Sequence, residues 1–139
     1  YRVNAAALPA FDLGDGLTLR VVYDGEKGSA LRLEWERASF VMPIGLTASD
    51  ESALLAGGLV EPGAALVVAD PALGAVTNAW VSAINPRVTL ISVGAENGRG
   101  DPVQETLRRL AGRTVLRTDE SGSLTLFTDG AQLWVETER

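Results

Sequence analysis

Apolar positions in the first third of the chain follow the pattern of antiparallel strands. Residues 16–24 are rich in β-branched side chains and bounded by turn residues, and residues 29–36 alternate apolar and polar side chains. Residues 40–45 are apolar throughout, so the two later segments together predict a hairpin. Because Pro43 cannot donate a ladder hydrogen bond, the second strand is predicted to end or bulge there.

The middle of the chain predicts helices that alternate with buried strands. Residues 47–58 predict a short helix whose N-cap is Thr47 or Ser49 and which stops at a Gly-Gly pair. Residues 64–70 form a continuous apolar run, which indicates a strand covered on both faces. Residues 77–84 predict a helix of about two turns that ends before an Asn-Pro pair.

The clearest helix signature follows a second buried strand, residues 87–94. In residues 101–113, Asp101 fits the N-cap position, Pro102 the first helical position and Gly112 the C-terminal stop. The segment between these signals is amphipathic, with one apolar stripe at helical spacing. The sequence therefore predicts a helix over these residues, capped by Asp101.

Three short strands, residues 114–120, 122–130 and 131–138, are predicted to follow, with turns between them. Strands and helices alternate in the middle of the chain, and antiparallel strands flank them. The predicted fold class is therefore α/β, with a mixed β-sheet and about three helices. No internal repeat or linker interrupts the sequence, so residues 1–139 are predicted to form a single domain.

Composition narrows the class of protein. The chain has 139 residues, enough for one domain with a core, and its hydrophobic fraction of 46% argues against disorder. No apolar run reaches the ~18 residues that a membrane helix needs. The chain begins with Tyr1 rather than Met and lacks a signal-peptide pattern. We interpret it as a piece of a longer protein or a processed one.

Charge and missing side chains exclude most enzyme mechanisms. The net charge of -6 opposes non-specific attraction to nucleic acid or anionic lipid. Without Cys there are no disulfides, thiolate nucleophiles or zinc–thiolate sites. Without His the chain lacks the commonest metal ligand and general base. Carboxylates, serines and the single lysine, Lys27, remain for chemistry.

Residues 94–102 (GAENGRGDP) form the main candidate site, because ligands of α/β proteins often bind where a strand meets a helix. The glycines permit positive φ, and a helix N-terminus offers free amides to an anion. A carboxylate at the N-cap occupies the same amides. Asp101 therefore favours a capped helix after a turn over an anion site.

Three other loops carry carboxylates. Residues 12–16 hold two acids but lack the spacing and the terminal Glu of a calcium loop, so a tight turn is predicted. Residues 117–123 predict a hairpin loop. Asp70 ends a buried strand, a position from which active-site acids often project, although its Asp-Pro pair also favours a turn.

Aromatic and basic residues are assigned to the core and the surface, respectively. Trp35, Trp80 and Trp134 are predicted to lie in the core rather than to form a base-stacking platform. Acidic residues interrupt the arginines of the last third, which predicts a solvated face for this group. The arginines concerned are Arg99, Arg108, Arg109, Arg113 and Arg117.

Two segments of the last third carry a pattern of a known family. They are NPRVTLISVGAENGRGDPVQETLRRL and TVLRTDESGSLTLFTDG. The positions that carry the pattern are Pro86, Val88, Ser92, Val93, Gly94, Asn97, Gly100, Pro102, Thr118, Asp119 and Gly122. This pattern resembles the metallo-β-lactamase-like domain of ComEC-type competence proteins, membrane channels that take up transforming DNA. The resemblance covers most of the chain and is most specific in its last third.

The resemblance implies the second half of an αββα metallo-β-lactamase-like fold, with its metal site lost. The family's Gly-Asp falls on residues 44–46, where Gly45 is followed by Leu. Its His-His-Gly-Ser falls on a segment that begins with Asp70, and the His of its Gly-His-Pro falls on Asp101. The loop keeps Asn97 and Gly100 of the family's backbone pattern. The His-rich first half of the fold is absent from this chain.

The resulting prediction is a degenerate, non-catalytic domain with no cofactor and no bound metal, and with a structural or docking role. The resemblance implies attachment to a bacterial cytoplasmic membrane protein. The expected partner is the membrane-channel part of the same protein or another competence protein, with DNA contacted only indirectly. Two alternatives stay open: part of an active metal-dependent DNA hydrolase whose ligands lie outside this chain, and a stand-alone protein- or ligand-binding module.

Overall fold

The computed structural model describes residues 9–69 and 76–139. The strands are β1 (Ala10–Asp12), β2 (Leu17–Asp24), β3 (Ser29–Trp35), β4 (Ala38–Ile44), β5 (Ala65–Val68), β6 (Val88–Ile91), β7 (Thr114–Arg117), β8 (Leu124–Thr128) and β9 (Leu133–Thr137). The helices are α1 (Ala48–Ala56), α2 (Asn78–Ile84), α3 (Gln104–Arg109) and the single turn α4 (Thr118–Ser121).

Within the described residues, seven strands form one mixed sheet in the order β1-β2-β3-β4-β5-β6-β7. Strands β1 to β4 are antiparallel neighbours, whereas β4 to β7 run parallel. Strands β8 and β9 pair as a separate two-stranded sheet. The predicted α/β class with a mixed sheet is confirmed.

Helices cover one face of the seven-stranded sheet. Ala30, Val41, Leu66 and Ile91 from four strands share a buried cluster with Trp80 of α2. Leu54 of α1 and Leu110, which follows α3, belong to the same cluster, so all three helices pack on this side. We call this side the helix face.

Local signals place the ends of α1 and α2 where the sequence predicts them. Thr47 is the N-cap of α1, and Thr47 and Asp50 each accept a hydrogen bond from the other's backbone amide, which makes a capping box. Thr77 caps α2 through the amide of Trp80 at 3.3 Å, and α2 ends at Asn85 in the left-handed conformation. The helix predicted for residues 77–84 is confirmed.

The prediction that the strand ends or bulges at Pro43 is wrong. Pro43 lies within β4 opposite Ala30, and the strand continues to Ile44. The parallel register of β4 with β5 covers only Phe40 and Val41, so β5 needs no amide from Pro43. The bulge lies instead in β2, just after Val21.

The end of the chain departs from prediction in its connections. The three short strands are present, but the hairpin loop predicted for residues 117–123 is wrong. This segment contains α4, and it links β7 of the large sheet to β8 of the small one. Strand β1 was not predicted; it pairs with β2 across residues 12–16, which form the predicted tight turn.

None of the helices in the described part of the chain is long and apolar enough to cross a bilayer.

Candidate functional site

The carboxyl ends of the parallel strands meet at one edge of the sheet, which we call the carboxyl edge, and the candidate residues follow these ends. Gly45 directly follows β4, and residues 94–101 follow β6. Asp70 lies outside the described residues, so its prediction stays untested.

Gly45 has a backbone role at this edge. Its φ is +64°, and an added Cβ atom would lie 2.7 Å from the carbonyl oxygen of Lys27. A Cβ at Gly28 would likewise lie 2.4 Å from the Gly45 backbone, so the two chain segments approach closely. Only glycine fits such an approach without displacing backbone atoms.

Asn97 closes the loop that follows β6. Its side-chain Nδ2 donates to the carbonyl oxygens of Gly94 and Asp101, both at 3.0 Å, and its Oδ1 accepts from the Asp101 amide at 2.6 Å. Gly100 turns the chain back with φ at +72°. The loop therefore uses the whole Asn97 amide group to hold its own backbone together.

The prediction that Asp101 caps a helix over residues 101–113 is wrong. Helix α3 begins three residues later, its N-cap is Val103, and no side-chain hydrogen bond caps it. The physical reason is that Asn97 holds both backbone groups of Asp101 within the loop. Helical backbone starts only after the proline that follows.

The Asp101 carboxyl group is buried against an exposed arginine. The side chain of Asp101 is 2% exposed, that of Arg99 is 74% exposed, and Arg99 Nε lies 3.1 Å from Asp101 Oδ2. This is an ion-pair distance, although Oδ2 accepts no hydrogen bond of normal geometry within the described residues. Arg99 therefore covers Asp101 from the solvent side.

Thr118 ties the end of β7 to the segment that follows β6, and Asp119, the next residue, pairs with an arginine at the end of β7. Thr118 Oγ1 donates to the carbonyl oxygen of Val93 at 2.6 Å and accepts from its amide at 2.7 Å. Asp119 pairs with Arg117, whose hydrogen bonds hold the pKa of the Asp119 carboxyl below its usual value. Both residues stabilise the carboxyl edge.

Among residues 9–69 and 76–139, no three His, Cys, Asp or Glu side chains are grouped so that they could hold a metal ion. The polar side chains described above bond instead to neighbouring backbone or to arginines. These contacts stabilise the loops of the carboxyl edge. Metal-dependent hydrolysis would need further metal ligands. The prediction that this chain binds no metal stays a prediction.

A second candidate site lies on the sheet face opposite the helices. Side chains alternate between the faces of a strand, and paired residues of neighbouring strands share a face. Ala30 of β3 and Val41 of β4 point to the helix face. Every second residue of these strands, starting from the positions next to these two, therefore points the other way. The residues of β2 and β1 that pair with them across the sheet share that direction. They include Phe11, Leu17, Leu19, Val21, Leu31, Leu33, Trp35, Phe40 and Met42. We call this surface the open face.

The two halves of this side of the sheet differ in how well they are covered. Over β5 and β6, Ala65, Val88 and Leu90 are buried beneath the β8–β9 hairpin. Over β1 to β4 the large apolar residues of the open face are half-buried or exposed, and Phe11 is 48% exposed. Ala38, opposite Trp35, is buried, and Phe40 packs against the cluster beneath the hairpin. An apolar groove of about 630 Å³ runs between the open face and the hairpin, with Leu33 and Leu126 in its walls.

The alternation in residues 29–36 was the sequence signal for this surface. The alternation is confirmed, but the polar set faces the helix side, where Arg32 is 8% exposed. Arg32 Nε donates to Glu34 at 2.7 Å, and its Nη atoms donate to the carbonyl oxygens of Glu61 and Pro62. A buried arginine thus occupies the side where apolar residues are usual, and the apolar residues face outward.

The tryptophan predictions hold in part. Trp80 is 1% exposed and lies in the core, and half-buried Trp35 donates to the carbonyl oxygen of Asp15 at 3.0 Å. The core prediction is wrong for Trp134, which is 47% exposed. Only one side of the β8–β9 hairpin packs on the sheet, and Trp134 and its partner Phe127 lie on the other side.

The arginines of the last third pair mostly with the acids between them, as the charge pattern predicts. Arg108 and Arg109 pair with Glu105, and Arg117 pairs with Asp119. These contacts make a solvated, internally neutralised face.

No protein-family model, curated protein or solved structure matches this chain. The resemblance to ComEC-type proteins and the assignment to half of an αββα fold therefore stay predictions.

Proposed function

We propose that this chain is a non-catalytic docking domain of a competence-type membrane protein, and that it docks through the open face. The occupant is a second apolar β-sheet, supplied by the channel part of the same protein or by a competence partner. The carrying observation is the contrast between the fully buried residues beneath the hairpin over β5 and β6 and the half-buried or exposed apolar residues over β1 to β4.

The size of the open face supports a docking role. Strands β2, β3 and β4 have eight, seven and seven residues, and β1 has three. At about 4.8 Å between strands and ~3.3 Å per residue, this part of the sheet covers roughly 400 Å². A patch of this size matches the largest apolar patch of a typical soluble monomer, and such patches are often functional. A second sheet packs face to face on such a surface at about 10 Å. In an αββα fold two β-sheets pack face to face. The resemblance to metallo-β-lactamase-like domains therefore also implies a second β-sheet on the open face.

The carboxyl edge supports the non-catalytic part of the proposal. Asn97 is fully engaged by its own loop, and Asp101 is covered by Arg99. The sequence offers neither His nor Cys for metal binding or proton transfer. Docking rather than hydrolysis is the role that these side chains favour.

The test compares two cross-strand pairs of large apolar residues, of which Phe11, Phe127 and Trp134 are exposed and Leu19 is half-buried. Phe11 and Leu19 form one pair on the open face, and Phe127 and Trp134 form the other on the outer side of the hairpin. Changing both members of the first pair to Thr keeps β propensity but removes apolar contact, which costs about 1.5–3 kcal/mol for each side chain buried on docking. We expect the transformation frequency of the host bacterium to fall at least about tenfold.

The matched control is Phe127→Thr with Trp134→Thr, which should leave transformation unchanged. Urea melts of both purified variants check that each still folds. Equal transformation by the open-face variant and the parent would overturn the docking surface. Cleavage of DNA by the purified full-length protein with Zn²⁺ or Mn²⁺, lost on Asp101→Ala, would overturn the non-catalytic assignment in favour of the hydrolase.

A further inference from the structure

A polar cleft lies at the edge of the sheet opposite the carboxyl edge. The amino ends of the parallel strands β4, β5 and β6 meet here, and the cleft between them has a volume of about 360 Å³. Its polar side chains are those of Arg37, Ser39, Asn85, Arg87 and Gln132. Among the described residues, no Asp or Glu lines it.

The fold fixes the backbone of both arginines. Arg37 precedes β4, and its amide donates to the carbonyl oxygen of Gly130 in the β8–β9 turn at 3.0 Å. Arg87 precedes β6, and its amide donates to the carbonyl oxygen of Ala64 at 3.0 Å. Because the turn and the sheet edge are joined in this way, the two arginines line one cleft.

These two arginines differ from most others in the chain. The arginines with carboxylate partners are Arg20, Arg32, Arg99, Arg108, Arg109 and Arg117. Neither Arg37 nor Arg87 forms an ion pair with any residue that the structure describes. The cleft is therefore a local concentration of positive charge in a chain whose net charge is -6.

Asp129, on the β8–β9 turn, reduces this charge only in part. Its Oδ1 accepts from the amides of Gln132 at 2.7 Å and Ala131 at 2.9 Å. These bonds, with a smaller effect of Arg37, hold the pKa of Asp129 below its usual value. Asp129 Oδ1 is thus engaged by its own turn, and the Glu36 carboxylate lies against Gly130 of the same turn. Arg113, which donates to Asn85 Oδ1 at 3.2 Å, adds a third guanidinium group next to the lining, so arginines still outnumber the neighbouring carboxylates.

Neutral donors complete the cleft. Ser39 is 8% exposed, and its hydroxyl group has no hydrogen-bond partner in the described part of the chain. Asn85 and Gln132 also line the cleft. Asn85 Oδ1 accepts from Arg113 Nη1 at 3.2 Å, which leaves the Asn85 amide nitrogen as a donor. A tetrahedral anion offers several acceptor oxygens to hydroxyl, amide and guanidinium donors.

We propose that this cleft binds the phosphate group of a small phosphorylated molecule. Arginine guanidinium groups match phosphate oxygens in a two-pronged geometry, and the volume lies in the range of small-ligand sites. A nucleic-acid strand is the less favoured ligand, because the negative charge of the whole chain repels a polyanion. The inference is independent of docking through the open face.

The experiment titrates the ¹⁵N-labelled full chain with inorganic phosphate and, separately, with adenosine monophosphate. We expect saturable amide shifts confined to the residues around Ser39 and Arg87, with a dissociation constant of about 1 mM or lower for one of the two probes. Tighter binding of the nucleotide identifies a phosphate ester as the ligand, and equal binding identifies free phosphate. Arg87→Gln and Arg37→Gln should each weaken binding about tenfold.

The charge-matched control is Arg108→Gln, which removes an exposed arginine paired with Glu105. It should bind phosphate as the parent does. Absence of saturation by both probes would overturn the proposal, as would an equal loss of affinity in the control. A different outcome is that a short single-stranded DNA binds more tightly than both probes, with its binding weakened by the same two cleft substitutions. That result would identify nucleic acid, rather than a small molecule, as the ligand.

Discussion

Replacing Glu51 by Gln tests how the first two helices are joined. Glu51 lies in α1 and is 0% exposed, and its carboxylate accepts hydrogen bonds from the amides of Val76 and, at 2.8 Å, of Thr77. Thr77 is the N-cap of α2, so the carboxylate also lies at the positive end of the α2 dipole. Gln keeps the volume of the side chain but has one carbonyl oxygen and an amide group that can only donate.

The expected loss follows from these two contacts. A hydrogen bond to a charged group contributes about 1.5–3 kcal/mol, and one of the two N–H groups would face the Gln donor without a partner. Relief of the buried charge offsets part of this cost. We expect Glu51→Gln to lower the free energy of unfolding by about 2 kcal/mol. Glu51→Ala, which removes both acceptors and leaves a cavity, should cost about 3–5 kcal/mol.

The measurement is urea unfolding followed by far-ultraviolet circular dichroism and by the fluorescence of buried Trp80. The midpoint should fall while the dependence of the unfolding free energy on urea stays unchanged. Glu105→Gln is the control, because Glu105 is an exposed partner of surface arginines, and its loss should stay within about 0.5 kcal/mol. If Glu51→Gln is as stable as Glu105→Gln, the carboxylate does not anchor α2.

Two further predictions concern the capping box and the loop. Hydrogen bonds from Thr47 hold the pKa of the Asp50 carboxyl below its usual value. The ionised carboxyl therefore stabilises the fold fully above the unfolded pKa of about 3.9, and this stabilisation is lost as pH falls through the lower folded pKa. Asp50→Asn should therefore lower stability at pH 7 and flatten its decline below about pH 4; urea midpoints that run parallel across pH would contradict this. Asn97→Ala should lower the free energy of unfolding by about 1–3 kcal/mol because it removes three loop hydrogen bonds. In the same melts exposed Asn78→Ala should have little effect, and an equally stable Asn97 variant would show that the loop is held by other contacts.

Signals carried by neighbouring residues were sufficient to predict strands β2 to β9 and helices α1 and α2, although not β1. Thr47 with Asp50, and Thr77 before its helix, act within one turn, so the sequence contains both partners of each contact. The alternation in residues 29–36 likewise predicted which residues share a face of β3. Each of these inferences needs only the period of the backbone and a local hydrogen bond.

The candidate site depended on contacts between residues that the local pattern does not relate. Asp101 has the sequence of an N-cap, yet Asn97 holds it in the loop and α3 begins later. The need for glycine at position 45 comes from the carbonyl group of Lys27 on another strand connection. Such packing constraints override local propensity, because a buried backbone group must be satisfied wherever its partner lies.

Which apolar face would be covered was also decided only by the tertiary structure. The sequence determined that Leu31, Leu33 and Trp35 lie together, but the periodicity of a strand does not tell which of its faces receives the helices. Buried Arg32, bonded to the carbonyl oxygens at 61 and 62, accounts for the polar set on the helix side. The β8–β9 hairpin packs with one side only, so Phe127 and Trp134 on its other side face solvent. The hairpin also spans only part of the sheet, so the open face stays half-buried or exposed. Local pattern fixes the period of side chains, whereas coverage depends on how far each packed element reaches across the sheet.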